Sequence, residues 1–205
     1  MDIAKQILIV GGGAGGIATA TSLLKRDRSL DITIIEPSDD HYYQPGWTMV
    51  GAGIFSKEDT RRDTLSVWPS GVTRIKGEVE KFEPAKNLVK LSDGSSIKYE
   101  TLVVACGLKL DWDSIEGLNE ALGKNGVTSN YRYDLAPYTW KLVQEMKGKE
   151  AIFTQPAMPI KCAGAPQKAM YLSCDHWLRN NKLSDMNVSF CNAGPVLFGC
   201  APYVP

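Results

Sequence analysis

Two short stretches of this chain hold residue types that can do chemistry. The first is Lys161-Cys162, followed at once by Ala163-Gly164-Ala165-Pro166. A strand over Ala151–Thr154 leads into this loop, and Pro166 suits the first turn of a helix that runs on to about Asn180. Cys162 then lies just before a helix N-terminus. The helix dipole and Lys161 both favour a thiolate, the form that attacks sulfur. A buried structural cysteine is the ordinary alternative, but a Gly- and Pro-flanked loop is a poor setting for a core residue.

The second stretch is Gly11-Gly12-Gly13-Ala14-Gly15-Gly16. It fits G-x-G-x-x-G with Gly11, Gly13 and Gly16 in the three glycine positions. Gly11 permits the tight turn, Gly13 admits a pyrophosphate, and Gly16 lets helix pack on strand. Ala14 and Gly15 open the helix, whose first N–H groups face the phosphates. Glu36 stands twenty residues after Gly16, where an acid accepts ribose hydroxyls and disfavours a 2′-phosphate. The motif alone does not separate FAD from NAD.

The elements that must position these residues follow from periodicity. Gln6–Val10 is a buried-type strand, Ile17–Arg26 a helix, and Asp31–Ile35 a second strand, together one βαβ unit. His41–Ser56 reads as a long aromatic- and glycine-rich loop, and His41, Tyr42 and Tyr43 are candidates to line a cofactor pocket. Val72–Tyr99 reads as an antiparallel meander with a turn at Asp93-Gly94. Thr101–Ala105 is a further strand entering Cys106-Gly107. Thr139–Met146 reads as a helix. Ala151 begins a second α/β half whose next strand is Asn187–Cys191. That half is short and reads as truncated. The expected fold class is α/β: an FAD/NAD(P)-binding Rossmann-like fold with two nucleotide-binding-type domains, the second truncated, plus the meander. The expected domains are 1–110, binding the nucleotide, and 111–205, a linker and partial second domain. A meander before the next α/β unit favours the flavoprotein layout.

Composition removes several classes of function. Apolar residues make up 43% of the 205, too many for disorder. Lys plus Arg equals Asp plus Glu at 23 each, so no broad field favours nucleic acid. No signal peptide and no apolar run of membrane-spanning length are seen, which suggests a cytoplasmic or peripheral inner-face location. Five cysteines at irregular spacing suggest reduced thiols. His41 and His176 are far apart and no C-x-x-C pair occurs, so no metal site is expected.

With these residues in view, the chain resembles the sulfide:quinone oxidoreductases, in the branch that includes the mitochondrial enzyme. The resemblance is carried by the glycine loop, by His41-Tyr42-Tyr43-Gln44-Pro45-Gly46-Trp47-Thr48, by Gly107-Leu108-Lys109-Leu110-Asp111-Trp112, and by Pro159-Ile160-Lys161-Cys162-Ala163-Gly164-Ala165-Pro166-Gln167-Lys168. It implies that Cys162 is one of two redox cysteines beside FAD. It implies FAD contacts for Gly11, Gly13, Ala14, Gly15, Gly16, Glu36 and Gly107. Hydrogen sulfide, a quinone and a sulfur acceptor are the implied partners, and a homo-oligomer is compatible with it. In that family the second redox cysteine and the membrane-binding part lie well C-terminal of anything that matches the residues present, so the resemblance implies them outside this stretch. Cys106 stands where many relatives carry threonine and inherits no role. Cys174 reads as core, Cys191 ends a strand, and Cys200 has little claim to pair with Cys162. Two rivals remain. An NADH:quinone oxidoreductase of the same fold needs a second glycine loop after the strand near Ala151, and Gln155–Cys162 supplies none. A non-catalytic FAD-binding fragment is the other.

Overall fold

The computed structural model describes residues 4–147, 150–197 and 202. In chain order the elements are β1 (Lys5–Val10), α1 (Ala14–Arg26), β2 (Ile32–Ile35), β3 (Asp40–Tyr42), α2 (Gly46–Val50), β4 (Arg61–Asp63), β5 (Val72–Ile75), β6 (Val79–Glu83), β7 (Leu88–Leu91), β8 (Ser96–Val104), α3 (Leu118–Ala121), α4 (Ala136–Glu145), β9 (Glu150–Gln155), α5 (Gly164–Arg179) and β10 (Asn187–Asn192). By contacts the chain divides into two units. One comprises Met1–Tyr42 and Arg61–Lys109, the other Tyr43–Thr60 and Leu110–Pro205. The stretch 43–60, which a linear reading leaves in the first domain, clusters with the second unit.

The first unit is built on a six-stranded sheet of order β5-β2-β1-β8-β7-β6. β1 runs parallel to β2 and to β8, and β2 runs parallel to β5. Alternation along β1 decides the two layers. Leu8 and Val10 join Ile35, Val89, Leu91 and Tyr99 on one face. Ile7 and Ile9 join Ile32, Ile34 and Ala20 of α1 on the other. Both faces are covered, which is why β1 and β2 read as continuous apolar runs.

Two strands differ from the sequence expectation. The sequence pattern places Val72–Ile75 in the meander, but β5 pairs in parallel with β2. Ser96–Val104 is one strand rather than two. Its first part pairs antiparallel with β7, and from Tyr99 onward it pairs parallel with β1. A buried neighbour on each side rewards keeping the strand unbroken, because every ladder group finds a partner. The expected loop His41–Ser56 contains the end of β3 and the short helix α2.

In the second unit, α5 connects two parallel strands, β9 and β10. Val143 of α4, Ala151 of β9 and Trp177 of α5 form its core. The Trp177 indole N–H donates to the Val143 carbonyl at 2.8 Å, so this buried ring carries no unsatisfied donor. α2 packs on α4 and α5. α5 starts at Gly164, two residues earlier than expected, so Pro166 is its third residue. The first turn's N–H groups have no intrahelical acceptor, so proline costs no hydrogen bond there.

Candidate functional site

The turn between β1 and α1 is shaped by steric exclusion. Gly11 has φ of +103°, and a Cβ on it would strike the Ala105 carbonyl. A Cβ on Gly16 would overlap the Gly11 carbonyl oxygen. A Cβ on Gly12 would lie 2.8 Å from Glu36 Cβ and 2.9 Å from the Trp68 ring. Gly13 is different. It caps α1 in an extended conformation, and a Cβ there would meet nothing within 4 Å. The space that three glycines close to side chains is therefore left open over Gly13, at the N-terminus of a thirteen-residue helix with no acid in its first turn. Such a terminus favours an anion.

Glu36 braces this turn. One carboxylate oxygen accepts from the Gly12 N–H at 2.7 Å, and the other accepts from Ser38 N–H at 2.7 Å. Each oxygen keeps a second lone pair for another donor. Sequence reasoning omitted Gly12 from the site and gave Glu36 no backbone partner. The flanking Trp68 gave no motif signal either. Gly107 lies past the end of β8 with φ of +75° and open space around it. Cys106 beside it is exposed, with its sulfur 3.8 Å from the Val10 carbonyl. His41 pairs in register with Arg62 between β3 and β4, and the Tyr42 hydroxyl donates to Asp40 at 3.3 Å. In the other unit, Tyr43 is exposed.

The second candidate is the turn between β9 and α5. Cys162 is exposed and adopts φ of +62°. A non-glycine residue in this left-handed region costs about 1–2 kcal/mol, so the surroundings must hold it there. Ala165 N–H donates to the Cys162 carbonyl at 2.9 Å. The Tyr131 hydroxyl donates to the Lys161 carbonyl at 2.8 Å and reaches the Cys162 carbonyl at 3.3 Å. The buried Gln167 amide donates to the Ala163 carbonyl at 3.3 Å and to Leu197 at 3.2 Å. Burial, and then the negative charge of a Cys162 thiolate, push the Tyr131 hydroxyl up to about 12. Burial lowers the Lys161 ammonium, with the thiolate acting in the opposite sense. Lys161 is thus half-buried beside the thiol rather than a solvated surface lysine.

The other cysteines differ in setting. Cys174 packs against the Val143–Ala151–Trp177 core, and burial raises its thiol. Cys191 is exposed on β10. Cys200 lies outside the described residues. Among the described residues no group of three or more His, Cys, Asp or Glu is placed to hold a metal ion.

The glycine turn, the parallel sheet and the bracing acid converge on one family, and residues 5–144 match the model described as pyridine nucleotide-disulphide oxidoreductase. The chain belongs to the pyridine nucleotide-disulphide oxidoreductase family. Over 201 residues it is 47% identical to the mitochondrial sulfide:quinone oxidoreductase of Dictyostelium discoideum, covering 97% of this chain and 44% of that protein. The corresponding protein of Mus musculus is 41% identical over 198 residues, with 97% and 44% covered. The solved sulfide:quinone oxidoreductase of the hyperthermophilic bacterium Aquifex aeolicus superposes with a TM-score of 0.75 at 27% identity, over 95% of this chain and 44% of that one. The fold is thus the FAD/NAD(P)-binding Rossmann-like fold of these flavin-type oxidoreductases, and the chain spans less than half the length of the curated relatives reported above.

Proposed function

We propose that this chain provides the nucleotide-binding region and one redox cysteine of a flavin-dependent sulfide:quinone oxidoreductase. Residues 1–110 hold FAD and residues 111–205 carry Cys162. The chain's own residues fit the cofactor. The pyrophosphate takes the open space over Gly13 and the N–H groups of Ala14, Gly15 and Gly16, with Gly11 making the turn. Glu36 uses its remaining lone pairs for the ribose hydroxyls while still bracing Gly12. Gly107 offers backbone unobstructed by any side chain. Bound FAD would supply the two-electron transfer to the quinone, which the side chains present do not provide.

Cys162 carries the sulfur chemistry. Hydrosulfide attacks a disulfide or sulfur bridge at Cys162; one S–S bond forms as another breaks, and a thiolate leaves. The outer sulfur of the persulfide passes to an acceptor and leaves a second thiolate; re-forming the S–S bond from the two thiolates releases two electrons, which bound FAD would relay to a quinone. Hydrogen sulfide, the quinone, the second cysteine and attachment to the inner face of a membrane belong to the complete protein under this reading. Among the described residues no helix is long and apolar enough to cross a membrane.

One observation carries the proposal. Where a dinucleotide-binding unit would place a glycine loop, the β9–α5 turn holds an exposed cysteine in a left-handed conformation, fixed by the Ala165 N–H on its own carbonyl and by one Tyr131 O–H shared between that carbonyl and the preceding one. The test is Cys162→Ser in the complete protein. Sulfide-dependent quinone reduction is expected to vanish while FAD occupancy stays at the wild-type level, since the nucleophile is lost and the cofactor site is not. Normal sulfide oxidation by that variant would overturn the assignment.

A further inference from the structure

We infer that Tyr131 is the positioning residue for Cys162: its single hydroxyl fixes both backbone torsions of the cysteine. The inference rests on Cys162 being the redox cysteine. The φ torsion of Cys162 is set by the peptide plane that ends in the Lys161 carbonyl. Its ψ torsion is set by the plane that carries its own carbonyl. The Tyr131 hydroxyl lies 2.8 Å from the first oxygen and 3.3 Å from the second. One donor therefore holds the two planes on either side of the Cα, and with them the direction in which the thiol projects.

Tyr131 is itself held. Its N–H donates to the Ser129 hydroxyl at 3.1 Å. The adjacent Thr128 and Thr139 hydroxyls bond to each other at 2.8 Å, which ties this segment to α4. The ring is half-buried. The raised hydroxyl keeps its proton throughout the range in which a thiol ionises, so the donor persists when Cys162 becomes a thiolate. The turn bond from Ala165 N–H holds only the Cys162 carbonyl, so among the described residues Tyr131 is the restraint that reaches the preceding plane.

The test compares Tyr131→Phe with p-aminophenylalanine at the same position. Phenylalanine keeps the ring and removes the donor; the amino analogue restores an N–H where the O–H was. The probe is glutathione disulfide with the 205-residue chain, read by peptide mapping at Cys162, with Cys174 and Cys191 as references in the same molecule. In each event Cys162 sulfur bonds to one glutathione sulfur and the other leaves as thiolate. Tyr131→Phe is expected to slow exchange at Cys162 about fivefold, the weight of one net hydrogen bond, and to leave the reference cysteines unchanged. The amino analogue is expected to return the rate to within about twofold of wild type, since it restores that one bond. An unchanged Cys162 rate in the phenylalanine variant, or equal slowing in both variants, would overturn the role. A general rise at all three cysteines would do the same, because it marks loosened packing. The wild-type ratio of Cys162 to Cys191 tests the redox reading separately, and the variant-to-wild-type ratio at Cys162 does not depend on it.

Discussion

Replacing Gly13 by valine separates the cofactor site from the fold. Gly13 has φ of −71° and ψ of −170°, a conformation open to any residue, and no atom stands within 4 Å of a Cβ built there. Two small effects on the free chain oppose each other. Losing glycine reduces the entropy of the unfolded state, worth about 0.4–1 kcal/mol in favour of the variant. An aliphatic residue is a poorer N-cap than glycine, with a cost on the order of 1 kcal/mol. The net change in unfolding free energy without FAD is therefore under about 1 kcal/mol. The cofactor feels something else. Under the proposed reading the valine methyls fill the open space over the helix N-terminus and are expected to displace the FAD pyrophosphate from the backbone donors. Each charge-assisted hydrogen bond contributes about 1.5–3 kcal/mol, and losing two weakens FAD by about two to four orders of magnitude.

Flavin absorbance after gel filtration measures occupancy, and thermal unfolding with and without FAD measures linkage. Wild type is expected to gain about 2.7 kcal/mol when FAD stands at about 100 times its Kd, and the variant almost nothing. Gly16→Ala is the contrasting control. Its Cβ overlaps the Gly11 carbonyl oxygen, so it is expected to destabilise the free chain as well. A Gly13→Val protein that stays yellow at full occupancy would refute the reasoning. So would one that unfolds as readily as Gly16→Ala in the absence of flavin.

Two further outcomes follow from the same geometry. NADH is expected neither to bind tightly nor to bleach the flavin on anaerobic mixing, because the residues between β9 and α5 cradle a thiol and contain no glycine loop; rapid bleaching by NADH with none by sulfide would favour the NADH:quinone reading. Glu83 is held down to about 2, chiefly by hydrogen bonds from Lys86 and then Lys90. A depressed carboxylate stabilises the fold above its unfolded value near 4.3 and loses that contribution as pH falls through the folded value. The urea-midpoint difference between wild type and Glu83→Gln is therefore expected to be constant from neutrality to about pH 5 and to shrink toward pH 2; a difference that grows on acidification would contradict the pairing.

Much of the β1–α1 turn was legible because its physics is local. Gly11, Gly13 and Gly16 are dictated by a turn, an open face and a packing contact that a strand–loop–helix pattern already encodes. Gly12 was not legible, because what excludes a side chain there is Glu36 and Trp68, 24 and 56 residues further on. The parallel pairing of β5 escaped for a similar reason. A four-residue run of Val-Thr-Arg-Ile fits either sheet type, and its neighbour β2 decides. The cysteine turn was visible as a motif, with its helix start displaced by two residues. Its left-handed backbone was not, since nothing marks a cysteine for positive φ. Tyr131 carried no signal at all: it acts on the turn from 30 residues away through one hydroxyl.

The double duty of β8 bears on the order in which the chain can be made. β1 is flanked by β2, reached after one short helix, and by β8, whose pairing residues lie more than ninety positions downstream. During synthesis the first βαβ half emerges with one edge of β1 bare. That edge stays available to other chains until residue 104 has left the ribosome. The late strand then caps β1 and anchors the meander in a single step. Closing so long a loop is slow compared with forming a helix. The nascent chain therefore has a window of aggregation risk that ends when β8 docks.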